Sequence, residues 1–257
     1  MQQGAAQLTQ ALYRSLQKIS DATDLRQPYF ESIVLDTLGF PFMIVAQRTW
    51  EFAVAYGALE RAGVLDGHRV GISFGAGFER LLYALSRRVK RLHAIDLYEE
   101  HSIWDEARAG DARAELAPRA PIPWNPDTVE IARMDMRSLD FPDQMFDFAY
   151  SISSLEHIGE REDFIAHLRE ARRVLKPGGV YVLTTTLVLL PETIRQAGCL
   201  LFAEPELREL IREGGFATPG PLDFRLSGDV GNTPSFPKGA LELPMFVDEI
   251  FVPRMQV

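Results

Sequence analysis

Cysteine is nearly absent: Cys199 is the only one in 257 residues. No internal disulfide can form, which excludes a small stapled secreted scaffold and suits a reducing compartment. Patterns of metal ligands are missing as well. The histidines stand scattered at 68, 93, 101, 157 and 167, with no His-Glu-x-x-His run and no cysteine pair, so no metal is expected. Glu99, Glu100, His101 and Asp105 read as a solvated acidic loop. Neither Ser73 nor Ser153 sits in a Gly-x-Ser-x-Gly elbow, which argues against a serine hydrolase.

Positive charge is also scarce. Lys and Arg total 27 against 36 Asp and Glu, a net charge of -9. Such a surface repels phosphate backbones, so nucleic acid is not an expected partner. The one basic cluster, Arg87, Arg88, Lys90 and Arg91, falls where a helix should end, and cations suit a helix C-terminus. Long apolar runs are lacking. Tyr181 to Leu190 is broken by Thr184, Thr185 and Thr186 and meets Pro191, well short of the roughly 20 apolar residues of a membrane span. Met1-Gln2-Gln3-Gly4 does not open a secretory signal. A cytoplasmic protein without a membrane partner is expected. No internal repeat and no low-complexity segment is visible.

What is present is an ordinary globular composition, 46% apolar and 25% charged, enough for a buried core in one decorated α/β domain or two small ones. Leu8, Leu12, Leu16 and Ile19 share one stripe and predict a helix over 5–20; 21–46 carries no clear period. A helix over Thr49 to Ala62 closes at Gly63. From Arg69 the rhythm alternates. Strands are predicted at Val70 to Ser73, Arg91 to Asp96, Val129 to Met134, Phe146 to Ile152 and Val180 to Thr185. Helices are predicted at Glu79 to Arg88, Arg161 to Leu175 and Glu204 to Arg212, and late strands near 216–226 and 241–251. Residues 101–126 form a long connection. This alternation implies an α/β fold: a doubly wound, mostly parallel seven-stranded sheet with helices on both faces. Residues 1–46 would be a helical N-terminal extension and 47–257 the main domain.

Gly75-Ala76-Gly77 falls between a predicted strand and a predicted helix, where glycines allow a tight turn and close approach of a ligand. Asp96 ends the next strand, 21 positions after Gly75, where an acid can accept both hydroxyls of a ribose. This pair fits a nicotinamide dinucleotide or the adenosine of S-adenosylmethionine equally well. Glu79 separates them. It stands where the dinucleotide fingerprint has its third glycine, and a carboxylate there repels a pyrophosphate. S-adenosylmethionine has no phosphate and carries an ammonium, so the charge favours the methyl donor. Helix-dipole stabilisation is the simpler role for Glu79, and both can hold at once. Among nearby aromatics, Trp104 and Trp124 read as packing residues, and Tyr98, next to Asp96, as the one best placed to border an adenosine.

In this order the motifs resemble the class I S-adenosylmethionine-dependent methyltransferases, from about Asp66 to Thr186. Val70-Gly71-Ile72-Ser73-Phe74-Gly75-Ala76-Gly77 resembles the family's first motif, and Ala94-Ile95-Asp96-Leu97-Tyr98 the second. Ala132-Arg133-Met134-Asp135-Met136 resembles the segment whose acid meets the adenine amino group. Phe146 to Ser151 resembles the fourth strand, Leu155-Glu156-His157-Ile158 its continuation, and Leu175-Lys176-Pro177-Gly178-Gly179 the turn before the fifth. There are two departures: Ser73 replaces the usual acid at the end of the first strand, and Glu79 replaces a frequent glycine. A Gly-x-Gly-x-Glu variant resembles a bacterial subgroup associated with polysaccharide or secondary-metabolite synthesis.

The resemblance implies methyl transfer from S-adenosylmethionine to an oxygen or nitrogen of a small molecule, a sugar or secondary metabolite. It implies cofactor contacts at Ser73, Gly75, Ala76, Gly77, Glu79, Asp96, Leu97, Asp135, Met136 and Ser151, with Ile152 nearby. His157 is the candidate catalytic base, because imidazole titrates near neutrality; loop-holding is the competing role for it and for Glu156. Two other readings stand beside this one: a non-catalytic S-adenosylmethionine-binding protein, suggested by Ser73, and a nicotinamide-dependent oxidoreductase.

Overall fold

The computed structural model of the chain describes residues 16–43, 47–100, 105, 107–196, 198–218, 222–225, 227, 228, 255 and 256. Five strands run parallel: β1 (Val70–Phe74), β2 (Arg91–Asp96), β3 (Val129–Arg133), β4 (Phe146–Ile152) and β5 (Leu175–Thr185), in the spatial order β3-β2-β1-β4-β5. The central strands bury both faces, as parallel strands under crossover helices must. Along β4, for example, Phe146, Phe148, Ala149, Tyr150 and Ile152 are all buried.

Helices form around this sheet at four of the places expected, and two more, over Pro28–Ser32 and Ala112–Leu116, lie where the sequence pattern marked none. They are α1 (Pro28–Ser32), which continues as a π-turn over Ile33–Thr37, α2 (Gln47–Arg61), α3 (Arg80–Leu85), α4 (Ala112–Leu116), α5 (Arg161–Val174) and α6 (Glu204–Glu213). The α5 helix turns Phe164, His167, Leu168, Ala171 and Val174 inward, and a reciprocal capping box between Glu160 and Asp163 closes its start. Leu92, Ala94, Phe148, Tyr150 and Ile152 join α2 and α3 in one core. Ile72, Phe74, Ile95 and Ala149 join Ala171 and Val174 of α5 in another. Helices therefore cover both faces.

Several expectations are corrected. The helix after β1 stops at Leu85, not Arg88, so the basic cluster lies beyond it; Arg88 bonds the Tyr56 hydroxyl and Arg91 pairs with Glu130. The described end of the segment expected as a helix over 5–20 is not helical: Lys18 bridges to Asp223 instead. The rest of that segment lies outside the described residues. Residues 216–218 and 222–225 form loop rather than a strand, apart from that bridge, and 219–221, 226 and 241–251 lie outside the described residues. The main sheet has six strands rather than seven among the described residues. The sixth pairs with the end of β5 and is antiparallel.

Between β5 and α6 the chain builds a small sheet that sequence periodicity did not reveal. It consists of β6 (Leu187–Val188), β7 (Ile194–Gln196) and β8 (Cys199–Ala203), in the order β6-β8-β7. The sixth strand of the main sheet is β9 (Met255–Gln256). No helix among the described residues is long and apolar enough to cross a membrane.

Gly71 shows how tightly the central strands pack. It pairs with Leu92 on one side and Phe148 on the other, and an added Cβ would fall 2.6 Å from the Phe148 ring atom Cε1. Overpacking of this kind costs about 1–3 kcal/mol. Gly71→Ala should lower unfolding stability by that amount in urea titration. Gly110→Ala, at an exposed site where a Cβ meets nothing within 4 Å, should stay within about 0.5 kcal/mol of the parent.

Candidate functional site

The strand order reverses between β1 and β4, and their carboxyl ends open the crevice where doubly wound sheets bind ligands. Here β1 leads into Gly75 (φ +60°) and Gly77 (φ +47°), both in the left-handed region that glycine tolerates. A Cβ on Gly75 would also fall 2.6 Å from Cβ of Ser154. The Ala76 N–H donates to the Ile95 carbonyl at 2.9 Å. Asp96 then clasps the turn: the Gly77 N–H donates to its Oδ2 at 3.0 Å, and the Leu97 N–H to its Oδ1 at 2.7 Å. Burial raises the Asp96 pKa, while the amides of Gly77, Leu97 and Tyr98 oppose that shift.

Tyr98 does not simply border this crevice. Its ring is buried 5.6 Å from Phe78, and its hydroxyl donates to the Gly77 carbonyl at 3.1 Å. It holds the Gly77 carbonyl, as Asp96 holds the Gly77 amide. Trp124 packs edge-on against Tyr83, as expected, and Trp104 and His101 lie outside the described residues. Glu99, Glu100 and Asp105 are exposed.

Glu79 precedes α3 as its N-cap residue, yet its side chain makes no capping hydrogen bond. The carboxylate is buried instead, with Oε1 4.0 Å from Nη1 of Arg48. The Tyr150 hydroxyl is close enough that, after burial, Glu79 is the next cause of its raised pKa. Ser73, at the end of β1, is buried beside Tyr150. The same Arg48 nitrogen lies 3.2 Å from Oε2 of Glu51, a fully buried carboxylate on α2. Oε1 of Glu51 accepts the Ser153 hydroxyl at 2.6 Å, where Ser153 leaves β4 at φ +45°. Sequence reasoning passed over Arg48 and Glu51. The available signal was an acid inside a buried, mostly apolar helix, between Trp50 and Phe52.

Asp135 and Met136 follow β3. Both oxygens of Asp135 are engaged by Arg137, with Nη2 to Oδ2 at 2.7 Å, and that bond is the main cause of its lowered pKa. The Met136 side chain reaches the Gly75 turn, and its carbonyl contacts Nδ1 of the fully buried His167 at 3.1 Å. A carbonyl only accepts, so Nδ1 carries the proton, and Nε2 accepts the Tyr181 hydroxyl at 2.7 Å. Ser151 is buried beside Tyr181, and Leu97 is exposed at the rim.

His157 sits on a short turn after β4, with Nδ1 2.8 Å from the Gly198 carbonyl. By the same donor logic Nδ1 carries a proton, so the lone pair of a neutral ring is on Nε2. Its neighbour Glu156 is buried and accepts hydroxyls from Thr185 and Thr186 at 2.9 and 2.8 Å, a loop-holding arrangement.

The structure thus gathers Ser73, Gly75, Ala76, Gly77, Glu79, Asp96 and Leu97 at one strand end, with Met136 and Ser151 against its flanks. Asp135 is turned to Arg137, and His157 is tied to the small sheet. No group of three or more possible metal ligands occurs among the described residues. The donor set suits a cationic, phosphate-free ligand. Acids surround the turn, and the Gly77 amide, which a pyrophosphate would need, already serves Asp96.

Residues 72–183 match a family profile described as a methyltransferase domain. No curated protein matches the chain in sequence. Solved structures match it in a structural comparison. A protein provisionally named a sarcosine dimethylglycine methyltransferase, from Galdieria sulphuraria, is 19% identical over 64% of this chain and 60% of its own, with a TM-score of 0.48. The YcgJ protein of Bacillus subtilis is 20% identical over 52% and 51%, with a TM-score of 0.41. Geranyl diphosphate C-methyltransferase of Streptomyces coelicolor A3(2) is 17% identical over 73% and 79%, with a TM-score of 0.48. The chain therefore spans less than two thirds of the first two.

His167 gives the site a pH signature. Burial lowers its pKa from 6.5 to about 4, so the unfolded chain takes up this proton first as the solution is acidified. The stability it contributes is complete above pH 6.5 and is lost as the pH falls towards 4. The urea midpoint should fall across that window, and less steeply in His167→Gln. Equal slopes would assign the acid sensitivity to other groups.

Proposed function

We propose, from the premise that residues 72–183 form a class I S-adenosylmethionine-dependent methyltransferase domain, that this chain methylates an oxygen or nitrogen of a small molecule in the cytoplasm. A sugar or secondary metabolite is the class of acceptor suggested by the Gly-x-Gly-x-Glu pattern. The domain itself rests on the family match, on the order of motifs around it and on the 3-2-1-4-5 strand order. We take residues 1–46 as an extension to a main domain of 47–257.

The observation that carries the cofactor assignment is the pair of acids at the glycine turn: Asp96, bonded to the Gly77 amide, and Glu79, buried without capping its helix. An ionised carboxylate has about four lone-pair sites, so Asp96 can hold the turn and still accept ribose hydroxyls. Glu79 is the carboxylate for the ammonium, in place of the acid that Ser73 lacks. Gly75, Ala76, Gly77 and Ser151 border the amino-acid end. Leu97, Asp135 and Met136 border the adenine, with Asp135 oriented by Arg137.

When bound, the sulfonium supplies an already activated methyl group, so the protein's work is mainly positioning and exclusion of water. His157, with its lone pair on Nε2, takes the proton of a hydroxyl acceptor in our reading. A non-catalytic binding protein is the second reading. It is favoured by Ser73 lying beside the neutral Tyr150 where the family usually has an acid.

Calorimetry should detect S-adenosylhomocysteine binding and little response to NAD; tight NAD binding alone would overturn the assignment. Asp96→Asn keeps an oxygen for the turn but loses charge-assisted bonds of roughly 1.5–3 kcal/mol, about ten- to a hundredfold in affinity. With an acceptor in hand, His157→Ala should slow turnover by about 10²–10⁴-fold at near-normal cofactor affinity. A variant that turns over normally removes His157 from the chemistry. Lack of turnover by the parent with every acceptor that binds favours the second reading.

A further inference from the structure

We propose that Arg48 is the receptor for the α-carboxylate at the amino-acid end of the cofactor, and that Glu51 is its positioning residue. This rests on the methyl-donor reading above and extends it beyond the domain of residues 72–183 to helix α2. One nitrogen of Arg48 lies 3.2 Å from Glu51 and 4.0 Å from Glu79, so three charges from two separate elements meet at one point. Their exposure is graded. The Arg48 side chain is 43% exposed, whereas Glu51 and Glu79 are 0% and 8% exposed. The guanidinium is thus the member of the group that reaches solvent, and the two acids are buried. The surroundings of Glu79 are polar too: the buried hydroxyls of Tyr150 and Ser73 lie beside one another, and neither makes a hydrogen bond of good geometry.

An amino-acid group is a zwitterion, and this arrangement is its complement. Glu79 offers a carboxylate to the ammonium, and a planar guanidinium matches a carboxylate in bidentate fashion. Glu51 fixes where the cation stands. It is three residues along the same helix, so the two side chains share a face, and its other oxygen is held by Ser153. Ser153 in turn has its N–H bonded to Thr184. The cation is thereby referenced to the ends of β4 and β5 rather than left to a surface side chain's freedom.

The test compares S-adenosylhomocysteine with its decarboxylated counterpart, which keeps the amine and loses the carboxylate. The parent protein should prefer the carboxylate-bearing ligand at least about tenfold in calorimetry. Arg48→Ala should abolish that preference by weakening S-adenosylhomocysteine alone, leaving the decarboxylated ligand unchanged or tighter. Arg48→Lys keeps the charge without the fork and should give an intermediate ratio, which serves if the alanine variant does not fold. Loss of both ligands to the same degree makes Arg48 merely structural and overturns the proposal; so does an unchanged ratio, or a parent with no preference. A parent that binds neither ligand overturns the methyl-donor reading itself, and this assignment with it.

Discussion

The clasp of Asp96 on the glycine turn is the interaction on which the crevice depends. The parallel register of β1 and β2 pairs Phe74 with Ile95, so the chain leaves both strands at the same level. One carboxylate then meets the amides of both exits, Gly77 from the first and Leu97 from the second. Burial opposes the ionised form of Asp96, and these amides favour it. The Tyr98 hydroxyl adds a bond to the Gly77 carbonyl, so the peptide on either side of Gly77 is held. A turn with two left-handed residues would otherwise be the least constrained part of the sheet.

The other half of the crevice is organised by carboxylates that hydroxyls satisfy. Glu156 takes Thr185 and Thr186, and Glu51 takes Ser153. A buried charge without partners is expensive, so each of these acids commits its neighbours to one geometry. Ser153 shows the consequence. A non-glycine residue at φ +45° is strained, and it is retained here by bonds to Glu51 and Thr184. Ser154 next to it closes on Gly75, with its hydroxyl 3.3 Å from the Gly75 carbonyl. The exits of β1 and β4 are therefore joined directly, across the point where strand order reverses.

Most of this frame is legible in the sequence, for identifiable reasons. Buried parallel strands require continuous apolar runs, and Phe146 to Ile152 is such a run, found where expected. The stripe on α5 is strong enough to fix that helix within a residue. The glycine turn and Asp96 are visible because their spacing follows from one strand-helix-strand unit. Elements too short to carry a period were invisible. The strands β6 and β7 have two and three residues, and nothing in Leu187 to Ala203 separates them from loop. Pairing set by local turn geometry carries no sequence signal for a similar reason: nothing in the spacing announces the bonds from Arg137 to Asp135, two residues before it. Arg48 and Glu51 were missed because they precede the glycine turn by more than 20 residues, and only the packing of α2 over β4 brings them to it.

Charge balance links these observations to the class of ligand. Close to the turn, Glu51, Glu79 and Asp96 stand against one cation, Arg48, an excess of two negative charges when all are ionised. A sulfonium with an ammonium and a carboxylate carries one net positive charge, so binding it offsets part of that negative charge. A pyrophosphate would add negative charge to an acidic group and find the Gly77 amide already engaged. Loss of the methyl group removes the sulfonium charge and with it that offset. On electrostatic grounds alone the site should hold the charged donor more firmly than its thioether product. In a partly buried crevice this difference is larger than it would be in open solvent. The two departures from the family pattern then have a single account. An acid is absent at Ser73, and Glu79 lies near the same Tyr150 hydroxyl that Ser73 adjoins, so a carboxylate is still present there.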